Sequence, residues 1–220
     1  MSDILSEFND YRSKMNEKLL ADNNKIVKRI FNLDTNAYAE GALDVKTKEL
    51  FDAKTRFMQS EEKEYTDIYN ERAGIYAEFG KIICISVGLV TETRTGKQMR
   101  LKSFYHDDEE TLLKQFIGLL NNNYNTQYHI LCGHNAKEFD FPYLSRRMLI
   151  HGITLPVMLD NAGKKPWEVN HLDTMEIWKM GDFKSFTSLD LLAAVFDIPT
   201  PKDDIDGSMV ADVYYQNKDL

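Results

Sequence analysis

The stretch from Lys81 to Phe196 changes its hydrophobic period in a fixed order, and few architectures accept that order. "KIICISVGLV" (81–90) and "KQMRLKSFY" (97–105) read as a buried strand and a more exposed one, joined by the turn-like "TETRTG". "HDDEETLLKQFIGLLNNN" then opens on acids and places Leu112, Leu113, Phe116, Leu119 and Leu120 on one helical face. The apolar "YHILC" (128–132) is a short buried strand, and "FPYLSRRMLIHG" has helical spacing through Phe139, Tyr143, Arg146 and Ile150. A loop, the short strand "HLDT" and a helix through "SLDLLAAVF" follow. A hairpin followed by alternating helices and strands predicts an α/β fold, a mixed sheet flanked by helices.

The flanks add a strand and two helical segments. Ile4, Phe8, Tyr11, Met15 and Leu19 form an amphipathic stripe, so residues 1–24 are read as a helical appendage. "KIVKRIFNLD" (25–34) is read as the first strand, with Asp34 at its far end. Residues 41–78 are charge-rich and too long for an ordinary connection, which predicts a helical insertion with a solvated acidic face. After Phe196 a Pro- and Asp-rich loop leads into the start of a last helix.

Composition bounds the function. At 220 residues with 43% hydrophobic content the chain can bury a sizeable core. No apolar run is long enough to span a membrane, and the acidic N-terminus lacks the features of a signal peptide, so a cytoplasmic location is expected. Cys84 and Cys132 both fall in strands and are read as reduced thiols, too few for a zinc site. A net charge of −8 argues against coating nucleic acid by bulk electrostatics, while leaving room for a local basic channel.

One carboxylate, Asp140, stands in an otherwise apolar run at a strand-to-helix junction, where burying a charge is costly unless something pairs with it. Ligands of open α/β sheets collect at the carboxyl ends of strands, and Asp34 is expected at the same edge. Two such carboxylates suit a hard divalent cation, Mg²⁺ or Mn²⁺.

At "NAKEFDFPYLSRR" the chain resembles the DEDD 3′-to-5′ exonucleases of the ribonuclease H-like fold, especially the proofreading domain of family-B DNA polymerases and stand-alone bacterial relatives. Asn135, Phe139, Asp140, Pro142, Tyr143 and Leu144 fit that family's second motif, and the likeness extends over most of residues 25–220. The resemblance implies a five-stranded mixed sheet and two metal ions acting on the 3′ end of single-stranded or frayed DNA, with a replication or repair protein as a partner. It places Asp34 as the ligand bridging both ions and Asp140 as a ligand of the second. Where the family has Glu, this chain has Asn36. The third motif, a Tyr and an Asp on a helix, is expected beyond Leu220, although Tyr215 and Asp219 carry its spacing.

Other residues stay open between two roles. Asn135 holds the loop or touches substrate, and Phe141, Trp167 and Phe186 either stack on bases or pack in the core. Arg146, Arg147, Lys164, Lys165 and Lys184 flank a phosphate path or sit on solvated faces. Asp173 is read as structural and His134 as a loop histidine. A module that binds nucleic acid or a protein partner without cutting is the alternative to an enzyme.

Overall fold

The computed structural model describes residues 29–37, 43–60, 64–94, 96–124 and 129–198. The predicted N-terminal helix, Tyr215 and Asp219 lie outside them. Five strands form one sheet: β1 (Arg29–Ala37), β2 (Gly80–Thr93), β3 (Gly96–Tyr105), β4 (Cys132–Gly133) and β5 (Leu172–Asp173), in the order β3-β2-β1-β4-β5. β2 pairs antiparallel with both β3 and β1, whereas β1 runs parallel to β4, and β4 to β5.

The hairpin is longer than its turn signal suggests. Thr93 pairs with Gly96, so the ladder runs into the predicted turn, and Gly96 takes φ 122°, a conformation open to glycine without a Cβ penalty. β1 also runs on past its predicted end. It stays paired with β2 as far as Ala37 opposite Gly80, with a register shift between Asp34 and Thr35. Asp34 therefore lies within the strand, at an irregularity, and not at its end.

The main core lies between the sheet and two helices, α3 (Glu109–Asn123) and α4 (Asp140–Ile150). Asp108 caps α3 by accepting from the Thr111 N–H at 2.9 Å. Leu112, Leu113, Phe116 and Leu120 of α3 are buried as their spacing predicts, with Leu119 partly so. The buried face of α4 is a different one from the expected stripe. Phe141, Tyr143, Leu144, Arg147 and Met148 are enclosed, while Arg146 and Ile150 are exposed.

Within the stretch 41–78 read as helical, the described residues form helices α1 (Val45–Thr55) and α2 (Tyr65–Arg72) around a separate aromatic cluster. Phe51 meets the rings of Tyr69 and Phe79 edge-on at 4.9 and 5.0 Å. The Tyr143 hydroxyl donates to the Gly74 carbonyl at 2.9 Å, tying this segment to α4. Two short helices, α5 (Thr174–Lys179) and α6 (Leu189–Val195), follow β5. No helix among the described residues is long and apolar enough to cross a membrane.

Candidate active site

β1 and β4 run parallel, so Asp34 on β1 and the head of α4 after β4 both lie beyond the paired residues Ile30 and Cys132. Ile30 of β1 is level with Cys132 of β4, so Asp34 lies four residues farther along, roughly 13 Å at strand rise. The chain leaves β4 in the same direction, through Gly133 to the head of α4 at Asp140. α4 packs against β1 and β2. Asp140 is half-buried in the first turn of α4, where backbone amides favour an anion. Asn36 is two residues beyond Asp34 on β1, paired with Lys81.

The connection between β4 and α4 is held by Asp173 at the end of β5. Its Oδ1 accepts from the Asn135 N–H at 2.8 Å and the Met175 N–H at 2.9 Å, and its Oδ2 from the Lys137 N–H at 2.9 Å. Asp173 is only 2% exposed, so the loss of hydration is met by three backbone donors. The structural role expected of it holds. Asn135 takes φ 60°, a left-handed conformation that Asn tolerates better than most residues, and turns the chain toward the helix.

His134 staples the same loop from the other side. Its Nε2 lies 2.8 Å from the Thr187 carbonyl, which can only accept, so Nε2 carries a proton and donates. Its Nδ1 lies 2.9 Å from the Thr174 hydroxyl. Two ion pairs complete the lacing: Lys137 with Glu176 at 2.9 Å and Lys179 with Glu138 at 4.0 Å.

Two residues considered for substrate contact are structural instead. Phe141 is 2% exposed, belongs to the main core, and packs its ring against His171 at 4.8 Å. It offers no face to a base. Arg147 is 1% exposed and donates to both Glu109 oxygens and, at 2.8 Å, to the Ala77 carbonyl. Glu109 also accepts from the Ile82 N–H at 2.7 Å and lies 2.8 Å from His151 Nε2. Burial alone would raise the Glu109 carboxyl pKa, but Arg147, with help from Ile82 and His151, outweighs it and holds the group below its usual value. Nothing local in the sequence marks Glu109 as the partner of Arg147; it reads only as one more acid at a helix start. Arg146 is exposed on α4.

Trp167 and Phe186 are largely exposed, contrary to core packing, each with a lysine ammonium over its ring: Lys165 at 5.2 Å and Lys179 at 4.0 Å. His171 is half-buried at the opposite end of the short strands. Its Nε2 donates to the Met158 carbonyl at 2.8 Å, and burial pushes its pKa down to about 4. Among the described residues, no group of three or more His, Cys, Asp or Glu is placed to hold an ion.

Residues 75–219, about two-thirds of the chain, match the family described as a predicted 3′-5′ exonuclease related to the exonuclease domain of PolB. The chain belongs to that family. As a PolB-exonuclease-like chain it also superposes on the family B DNA polymerase from the hyperthermophilic archaeon Pyrobaculum calidifontis, with a TM-score of 0.50 and 17% identity over 86% of this chain. At that identity the likeness concerns the fold alone, and it fits a ribonuclease H-like architecture. The PolB-exonuclease-like chain spans 21% of the polymerase's length. No curated protein matches it.

Proposed function

We propose that this chain is a metal-dependent 3′-to-5′ exonuclease hydrolysing phosphodiester bonds at the 3′ end of single-stranded or frayed DNA, with residues 25–220 as a ribonuclease H-like domain and 41–78 as its insertion. One observation carries the proposal: the family match covers Asp140 at the head of α4, and the strand before that helix, β4, runs parallel to β1, which holds Asp34.

Asp34 and Asp140 would hold Mg²⁺ or Mn²⁺ through carboxylate oxygens, a donor chemistry that fits hard cations. Such ions, when bound, lower the pKa of an attacking water and neutralise charge on the leaving oxygen. Asn36 contributes a neutral carbonyl oxygen where a carboxylate would bind more strongly, so one of two metal positions is weakened. Tyr215 and Asp219 are the chain's own candidates to complete the set. The Asn135 turn, fixed by Asp173, sets the direction in which α4 leaves the sheet and thereby positions Asp140. Arg146, exposed six residues after Asp140, offers a phosphate contact, and a replication or repair protein would supply the frayed end.

Asn36 specifically favours a second reading, a module that grips nucleic acid or a protein partner without cutting. Incubation with Mn²⁺ or Mg²⁺ and 5′-labelled single-stranded DNA separates the two. An exonuclease yields a ladder that Asp140→Ala abolishes and Asn36→Glu strengthens. Intact DNA with both the natural chain and Asn36→Glu, together with retardation on a gel, supports the nucleic-acid-binding module; intact DNA without retardation rejects both the exonuclease and the nucleic-acid module.

A further inference from the structure

We infer that the turn after α5 is a stacking ledge for the single strand entering the Asp140 edge, with Phe183 and Phe186 as its base platforms. The ledge rests on the exonuclease reading and specifies how that site receives its substrate.

A single exposed aromatic ring needs no explanation. Here two rings three residues apart are turned outward, Phe183 at 86% and Phe186 at 65% exposure. The backbone presenting them is well defined. Met180 and Gly181 take φ 48° and 91°, ending α5 in left-handed geometry. The Asp182 N–H donates to the Lys179 carbonyl at 2.7 Å, and Asp182 Oδ1 accepts from the Lys184 N–H at 3.0 Å. The rings thus stand on a tight turn, so little conformational entropy is lost when a base lands on them.

The turn is joined to the proposed catalytic edge at two points. The Lys179 ammonium lies 4.0 Å from the Phe186 ring centroid and also 4.0 Å from Glu138 Oε1, two residues before Asp140. Just past Phe186, the Thr187 carbonyl accepts from His134 of the loop that leads to α4. Lys179 is mostly enclosed between Phe186 and Glu138, so its charge steadies the ring and enriches its interaction with a stacked base.

Charge decides what kind of occupant fits. Lys179 and Lys184 are offset by Glu138 and Asp182, so the ledge has no surplus positive charge to track a backbone. Its recognition chemistry is the π-face, which every base offers, and its occupant is an unpaired strand whose bases are free to stack. Binding there should depend only weakly on salt, unlike a groove built on phosphate contacts.

The test is fluorescence anisotropy of a 5′-labelled oligothymidylate of about ten nucleotides, within the usual single-strand site size. It uses the full 220-residue chain with Ca²⁺ replacing Mg²⁺ to keep the strand intact. Phe183→Ala and Phe186→Ala should each raise Kd at least about fivefold, and Phe186→Trp should retain binding. An unchanged Kd in the double alanine variant overturns the ledge while leaving the exonuclease reading in place. A lower Tm with unchanged Kd also overturns it, because the rings then pack against another part of the chain. If the natural chain does not bind the oligonucleotide at all, the functional reading itself fails and the ledge falls with it.

Discussion

Helix α4 treats charge in opposite ways at its two ends. At its head, Asp140 is half-buried in the first turn. Seven residues later, Arg147 is fully enclosed, its guanidinium shared between Glu109 and the Ala77 carbonyl, with His151 closing the cluster. Charge that the fold uses for itself is surrounded and matched bond for bond. Asp140, in the first turn, is only half-buried. Asp140 and Asp173 repeat the contrast at one edge: two aspartates close to strand ends, one presented by a helix start and the other buried under three backbone N–H donors.

The contrast can be broken first at the tail. Glu109→Ala leaves the Arg147 guanidinium buried without its carboxylate and should cost about 3–5 kcal/mol in urea unfolding. A loss below about 1 kcal/mol would mean that water or another group reaches Arg147. At the head, Asp140→Ala should lower nuclease activity at least about 100-fold while leaving unfolding free energy within about 1 kcal/mol. A drop in stability as large as that of Glu109→Ala would make Asp140 a fold residue too. Asp173→Ala should fall between them, costing about 2 kcal/mol through three backbone donors left without their acceptor.

A smaller effect concerns pH. The His171 pKa is lowered from 6.5 to about 4 by burial, so the unfolded chain binds the extra proton throughout that interval. Stability should therefore fall as pH drops from about 6.5 to about 4, and His171→Gln should flatten that slope in denaturant melts. Glu109, held below 4.5, adds its own loss only at pH below that value. The smallest change is expected from exposed Arg146→Ala, within about 0.5 kcal/mol of the natural stability, with a modest rise in Kd for single-stranded DNA.

Periodic patterns in the sequence located the parts of this fold that depend on periodicity. α3 follows from spacing that buries one face, the hairpin from two strand-like runs about a turn, and the helices between β1 and β2 from the length and charge of that stretch. Their limits were less legible, because Ala37 is kept in strand by a partner distant in sequence, Gly80, and Thr93 by Gly96 inside the segment that reads as a turn. Which face of α4 would be buried was misread for a related reason: Arg147 looks like a surface residue until Glu109, 38 positions earlier, is folded against it. Phe141 and Phe186 show the same limit. Both are open between stacking and core packing in the sequence, and the structure separates them: Phe141 lies in the core and Phe186 stands exposed. Asp140 stood out in the sequence because its neighbours form a motif, and the structural role of Asp173 rests on three backbone donors that only the fold brings to it.

Manganese binding followed by electron paramagnetic resonance tests the Asp34–Asp140 edge most directly. The natural chain should bind Mn²⁺, Asp34→Ala and Asp140→Ala should each abolish that binding without unfolding the protein, and Asn36→Glu should add a second ion. Mn²⁺ affinity unchanged by Asp34→Ala and Asp140→Ala would contradict a metal site at this edge.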